Sequence, residues 1–175
     1  IFIWGFTGIL GKMLDQENVP VHTIVFYRML IGFIAIGLFM ILSRRKITMS
    51  KKTILQTAGT GVIIAAHWFT FFLSIYYSNV SFGLVFFSTT ALFTSFLEPW
   101  IMKKKFDFKE LTMGAVVVGG IALIGFDSTS QVQPVVSPQL NYGLAMICAI
   151  SSAFLAALFS VINATFVKNN DSVQI

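Results

Sequence analysis

The stretch HWFTFFLSIYYSNVSFGLVFFSTTALFTSFLEPW, residues 67–100, decides the fold of this chain. It holds two apolar runs joined by a few polar residues around Ser78, Asn79 and Ser81, and carries no acidic or basic charge before Glu98. A helix needs about 20 residues to cross about 30 Å of hydrocarbon, at about 1.5 Å per residue. With its flanking residues each run reaches that length, and a backbone in lipid must satisfy its own hydrogen bonds. The stretch therefore predicts a transmembrane helical hairpin.

Composition extends this prediction to the whole chain. The 175 residues are 56% hydrophobic and 11% charged, whereas a soluble domain carries about 25% charged residues. The apolar runs lack the two-residue alternation of a membrane β-barrel, which favours a helical membrane protein. The net charge of +5 does not indicate nucleic acid, because the basic residues cluster between apolar runs as they do in cytoplasmic loops. Cys148, the single cysteine, lies inside an apolar run and is expected to be a packing residue.

Six apolar segments follow one another along the chain. The first has about 14 residues before Asp15, too few to cross alone, and we interpret it as the outer part of a span. The other predicted spans cover residues 21–42, 53–77, 82–102, 111–126 and 140–167. In the fifth, Ala115 and Gly119 have the small-xxx-small spacing that lets helices approach closely. The predicted class is all-α, a polytopic transmembrane helix bundle.

The charges of the loops predict the topology. Loops 43–52 and 103–110 are rich in lysine and arginine, whereas 15–23 and 127–138 contain acids and neither lysine nor arginine. Basic loops face the cytoplasm. Ten of the twelve basic residues then fall at cytoplasmic positions, and the exceptions are Lys12 and Arg28.

Five features within residues 1–126 occur in an order that matches a known family. They are Trp4-Gly5 followed by Lys12, Arg28 in span two, FGLVFFSTTALFTSFLEPW at 82–100, a basic loop, and the glycine-patterned segment 114–125. Together they resemble the EamA-type branch of the drug/metabolite transporter superfamily. Many members of that family carry an acid in the loop soon after span four. This chain has three consecutive lysines there, beginning at Lys103, so we assign no functional role to an acid of this loop.

The resemblance implies a ten-span transporter built from two five-span repeats of opposite orientation. Residues 1–126 would form the first repeat, 127–138 an external loop, and 139–175 the first span of the second repeat. The remaining spans would lie beyond this sequence. A central site would then be reached alternately from the two sides of the membrane.

Two basic residues lie within predicted spans. A cation in a span costs at least about 2.5 to 3.5 kcal/mol, so Arg28 must face a partner or a wet cavity. It either holds an anionic or carboxylate group of a solute, or reaches outward or caps a neighbouring helix. Lys12 lies nearer the outer face, where it is either a cavity residue, as the resemblance implies, or an interfacial lysine.

Two other ionisable residues have open roles. Glu98, at the inner end of span four, is either a coupling acid or an interfacial acid near the lysines that follow it. His67 lies mid-span in span three and either binds a solute or relays a proton, or simply bonds a neighbouring helix. A single histidine with no second ligand nearby predicts no metal site.

Aromatic and hydroxyl side chains complete the candidate site. The aromatic candidates are Trp4, Trp68, Phe71, Phe72, Phe86 and Phe87. Ser88, Thr89 and Thr90 lie near the middle of span four, and Asn163 is the polar candidate of the last span. The predicted substrate-binding set is Trp4, Lys12, Arg28, His67, Trp68, Ser88, Thr90 and Asn163, with Glu98 for coupling.

No motif indicates an enzyme or a cofactor. The sequence has no phosphate-binding GxxxxGK[ST] loop and no HExxH, so transport would be driven by a gradient. The resemblance implies a secondary-active exporter of small metabolites such as amino acids or amphipathic compounds, running with protons or as a uniporter in a bacterial inner membrane. The alternatives are an importer of the same family and a non-transporting assembly subunit. A channel would need a continuous polar stripe, and the polar residues here are isolated. The oligomeric state stays open.

Overall fold

The structure is a computed structural model that describes residues 2–44, 50–131 and 141–167. These residues form helices and no strand, which confirms the predicted all-α class. In chain order the helices are α1 (Phe2–Gln16), α2 (Val21–Leu42), α3 (Lys51–Tyr76), α4 (Val80–Phe87), α5 (Thr90–Met102), α6 (Phe108–Gln131) and α7 (Tyr142–Val167). Four segments are long and apolar enough to cross a membrane: Val21–Leu42, Lys51–Tyr76, Val80–Met102 and Tyr142–Phe166. The fold is a helical membrane bundle.

Two predicted spans differ from these four. The first is α1, whose 15 residues extend over about 22 Å, less than the hydrocarbon thickness of about 30 Å. The fifth is α6, a helix of 24 residues that ends at Gln131. The external loop predicted from residue 127 therefore begins while α6 is still helical, and the part from 132 to 140 lies outside the described residues.

The hairpin predicted at residues 67–100 is present between α3 and α4. The side chain of Asn79 caps α4, accepting a hydrogen bond of 2.8 Å from the backbone N–H of Phe82. Ser78 ends α3 by donating its hydroxyl to the carbonyl of Ser74, at 2.6 Å. A Cβ atom on Gly83 would lie 2.9 Å from Ser74 Oγ. A larger residue at position 83 would therefore have to displace the Ser74 side chain for α4 to lie this close to α3.

The span predicted over residues 82–102 is present as Val80–Met102, but it is not one regular α-helix. The helix is interrupted at Ser88 and Thr89, where ψ is −12° and −10°, closer to a 3₁₀ turn than to an α-helix. The hydroxyls of Ser88, Thr89 and Thr90 each bond the carbonyl three residues earlier, at 2.6, 2.8 and 2.5 Å. Hydroxyls that bond nearby carbonyls compete with the helical pattern and bend it. The interruption therefore coincides with three consecutive hydroxyl residues in an otherwise mostly apolar segment.

The interior of the bundle centres on α7. Its most extensive contacts are with α3, followed by α5 and α4. One face of α7 consists of small residues that are fully buried: Ala145, Ala149, Ala153 and Ala157. Their spacing of four residues places them in one row along the helix. Small side chains allow the neighbouring backbones to come close.

Among the described residues, no helix packs closely against Ala115 and Gly119 as predicted. Both residues are exposed, and a Cβ added to Gly119 would meet no atom within 4 Å. The neighbouring Gly114 is buried instead, and its Cβ would lie 3.1 Å from the Cα of Leu92 in α5. The close approach on α6 therefore uses a different face, because helix rotation depends on the partner helix as well as on the spacing of small residues.

The ends of the helices agree with the predicted topology. At the predicted outer end, the backbone N–H of Asn141 bonds the carbonyl of Tyr77 at 3.0 Å, so α7 begins where α3 ends. The basic residues Arg44, Lys51 and Lys103 lie at the opposite helix ends and are exposed. The predicted cytoplasmic residues Arg45, Lys46 and Lys168 lie outside the described residues.

Candidate functional site

Arg28 stacks on an aromatic ring inside the bundle. Its Cζ lies 3.6 Å from the ring centroid of Trp68, which is buried. This is a cation–π contact, and such contacts stabilise a partly desolvated guanidinium by about 0.5 to 2 kcal/mol. Within the described part of the chain, Arg28 forms no ion pair and no hydrogen bond. The indole of Trp68 thus covers one face of the guanidinium, while its N–H groups have no hydrogen-bond partner among the described residues.

His67 joins α3 to α7. It is 2% exposed, and its Nδ1 lies 3.0 Å from the carbonyl oxygen of Ser152 and 2.9 Å from the Ser152 hydroxyl. The Ser152 hydroxyl in turn lies 3.2 Å from the carbonyl oxygen of His67 and donates to it. The two residues are 85 positions apart in sequence. Their reciprocal contact fixes the imidazole against α7.

Aromatic rings connect these two polar groups. The ring of His67 lies 4.8 Å from that of Trp68 and 5.4 Å from that of Phe87, measured between centroids. Phe71 packs against both Trp68 and Phe87 at 5.9 and 5.4 Å. We call Arg28, Trp68, His67, Phe87 and Ser152 the central cluster. It draws on α2, α3, α4 and α7, and it combines a cation, an imidazole and aromatic surface.

Lys12 lies apart from the central cluster. Its Nζ binds Asp15 Oδ2 at 2.9 Å and the carbonyl oxygen of Ile75 at 3.2 Å. Ile75 is eight residues from His67 on α3, or about 12 Å along the helix axis. Lys12 therefore ties the end of α1 to the end of α3, and a role for it in substrate binding stays a prediction.

Glu98 lies at the predicted inner end of α5. Its Oε1 is 2.5 Å from Lys104 Nζ, and the two side chains are 31% and 51% exposed. Lys103 ends the helix in the left-handed region, with φ of 52°. This turn brings the lysine that follows back onto Glu98. The geometry matches the interfacial role considered for this acid, and its coupling role stays a prediction.

The remaining candidates bond carbonyls next to the central cluster, lie far from it along α7, or have side chains outside the described part of the structure. The hydroxyls of Ser88 and Thr90 are both bonded to carbonyls of α4, and Ser88 is exposed. Asn163 is half-buried on α7, eleven residues or about 16 Å along the axis from Ser152. Trp4 lies within α1, but its side chain is outside the described part of the structure. Substrate binding by these residues stays a prediction.

Sequence reasoning missed Ser152. Its signal is a pair of adjacent serines, Ser151 and Ser152, beside the row of alanines spaced by four on α7. A polar residue next to such a row lies near the face where helices pack closely, so it can reach a polar group on a neighbouring helix. His67 is the mid-span polar residue of α3 that it meets.

The fold and the central cluster define a polytopic helical membrane protein that holds a cation and an imidazole inside the bundle. Residues 1–126 match the EamA-like transporter family, and the chain belongs to that family. No curated protein and no solved structure matches the chain.

Proposed function

We propose that this protein exports small metabolites, such as amino acids or amphipathic compounds, as a secondary transporter that works by alternating access. Membership of the EamA-like transporter family supports transport. The direction of flux and the class of solute are our inference from the resemblance described above. We infer a multi-pass location in a cell membrane, specifically a bacterial inner membrane, and transport either coupled to protons or by uniport.

The state of Arg28 carries this proposal. A cation within a membrane span requires a partner or a wet cavity, and here one face of the guanidinium is covered by Trp68. Its N–H donors are left without a partner among the described residues. The planar guanidinium can bind a carboxylate through two parallel hydrogen bonds. An anionic group of a solute would therefore complete the site, and the rings of Trp68 and Phe87 would contact its apolar part.

Metabolite profiling tests the proposal. Cells expressing the full-length protein are compared with cells expressing Arg28→Ala at matched abundance in the membrane, and small molecules in the medium are measured by mass spectrometry. We expect a small set of metabolites to rise outside the wild-type cells and to stay at the empty-vector level with Arg28→Ala. Lys52→Ala is the matched control, because Lys52 is an exposed cation at the start of α3. It should export as the wild type does.

Two alternatives give different results in the same experiment. An importer of this family would deplete a metabolite from the medium, again in a manner that needs Arg28. An assembly subunit would give no selective change in the medium, and Arg28→Ala would lower the amount of folded protein in the membrane. Equal profiles for wild type and empty vector would contradict export.

A further inference from the structure

The two nitrogens of His67 have different surroundings. Nδ1 lies 3.0 Å from the backbone carbonyl oxygen of Ser152. A carbonyl oxygen only accepts hydrogen bonds, so Nδ1 must carry a hydrogen and donate it. The Ser152 hydroxyl, 2.9 Å from Nδ1, directs its own hydrogen to the carbonyl of His67. The bonding network thus assigns the Nδ1–H form to the neutral imidazole.

In that form the lone pair of the ring lies on Nε2. The hydrogen bonds of His67 within the described part of the chain all involve Nδ1 or the backbone, so Nε2 has no partner there. A nearly buried histidine therefore keeps one basic ring atom that has no hydrogen-bond partner among the described residues.

The helices packed around His67 offer few other charged groups. On α2 the nearest is Arg28, which contacts the neighbouring Trp68. Residues 80–87 of α4 include no ionisable side chain, and Cys148 is the titratable residue nearest Ser152 along α7. On α1, Lys12 and Asp15 are paired with each other near the end of α3. Among the described residues, no carboxylate is therefore placed beside His67 to take a proton in its place.

We propose that His67 is a proton-binding site of the transporter, which takes up and releases its proton at Nε2 while Nδ1–H stays bonded to Ser152 on α7. This inference rests on the proposed function. Its consequence is that the contact between α3 and α7 persists in both protonation states. Proton exchange then changes the charge next to Arg28 without separating the two helices.

Nitrogen NMR of the full-length protein, labelled at histidine in lipid nanodiscs, tests the assignment without a substrate. At neutral pH we expect the His67 ring to show a protonated Nδ1 and an unprotonated Nε2. On acidification the Nε2 signal should move to the protonated position while Nδ1 changes little. His22→Asn is the control, because it removes the exposed His22, and His67→Asn identifies the His67 signals by their loss. A neutral ring protonated at Nε2, or an Nε2 that never takes a proton while the protein stays folded, would overturn the proposal.

A pair of substitutions separates the roles of the two nitrogens in transport. The amide of His67→Asn can reach the Nδ1 position and bond Ser152 O, but it has no atom at the Nε2 position. We expect it to keep the thermal stability of the wild type better than His67→Ala does and to lose metabolite export. Wild-type export by His67→Asn would overturn the role of Nε2. If the wild type itself exports nothing, the proposed function fails, and the NMR spectra still decide the proton assignment.

Discussion

Two polar pairs, His67–Ser152 and Glu98–Lys104, hold different places in the molecule. The first lies between α3 and α7, with residues 2% and 0% exposed, and the second lies at the end of α5 with side chains 31% and 51% exposed. Hydrogen bonds in a low-dielectric interior are stronger than in water, whereas exposed ion pairs contribute about 0 to 1 kcal/mol. The opposite charges of the second pair therefore stabilise the protein less than their short distance suggests. Burial inside the bundle, rather than formal charge, therefore decides which of the two pairs can bind a solute or a proton within the membrane.

The largest loss of stability is expected when the packing of α7 around the interior pair, His67–Ser152, is disturbed. Ala153 is fully buried next to Ser152 in the alanine row of α7. Ala153→Leu would add three carbons where no space exists, and overpacking of this kind typically costs about 1 to 3 kcal/mol. We expect a clear loss of thermal stability in detergent and loss of export. Thermal unfolding followed by size-exclusion chromatography measures the first, and metabolite profiling the second.

The matched control is Ala164→Leu on the same helix. Ala164 is exposed, so the added side chain would extend into lipid, where leucine is favourable. It should unfold at the temperature of the wild type. Equal destabilisation by both substitutions would mean that α7 tolerates leucine poorly along its whole length, and that the buried face has no special role in joining the helices.

Much of the fold could be predicted because the membrane imposes strong rules on sequence. The bounds of α2 equal those predicted, residues 21–42, since Pro20 precedes the helix, the polar Ser43 follows it, and its length matches the bilayer. The break at Ser88 could not be predicted from hydropathy. Hydroxyls bond carbonyls of their own helix at Thr60 and Thr70 as well, where α3 stays continuous, so neither hydropathy nor the presence of a hydroxyl locates the break.

The candidate site was predicted by residue type but not by arrangement. Arg28, His67 and Trp68 were identified because polar or large aromatic groups within a span demand an explanation. The sequence could not show that Arg28 stacks on Trp68 or that His67 meets Ser152, because such contacts depend on how each helix is rotated. Rotation is set by the packing of several helices together, as the exposed faces of Ala115 and Gly119 illustrate.

An intermediate effect is expected when the interior pair itself is weakened. Ser152→Ala removes the hydroxyl that lies near Nδ1 and bonds the His67 carbonyl, but leaves the backbone carbonyl that accepts from Nδ1. Hydrogen bonds between membrane helices contribute about 0.6 kcal/mol on average and up to about 1.7 kcal/mol. We expect a loss of stability within that range, with the Nδ1–H form retained in nitrogen NMR.

Ser160→Ala provides the comparison for this prediction. Ser160 lies on the same helix and is exposed, so its replacement should leave the unfolding temperature unchanged. Should Ser152→Ala also have no effect, the side chain of Ser152 would contribute nothing measurable. The join between α3 and α7 would then depend on the Nδ1–H bond to the backbone carbonyl and on the alanine row.

The smallest effect is expected at the surface pair, Glu98–Lys104. It tests whether this pair contributes as little to stability and transport as its exposure suggests. Glu98→Gln removes the charge that binds Lys104, an interaction whose exposed lysine limits it to about 1 kcal/mol or less. Salt screens such a pair, so the difference between Glu98→Gln and wild type should shrink further as ionic strength rises. We expect stability close to wild type and unchanged export, with Glu110→Gln, another exposed acid of the same region, as the control.

A different result here would reverse the roles assigned to the two pairs. If Glu98→Gln kept its stability but export no longer depended on pH, Glu98 would be the group that couples transport to protons. The exposure of Glu98 would then be a functional property, because an acid near the membrane surface exchanges protons readily with the cytoplasm. His67 would in that case be a structural join between α3 and α7, and His67→Asn, which can keep the bond to Ser152, should export normally. Measuring both variants in the same cells therefore distinguishes an interior proton site from a surface one.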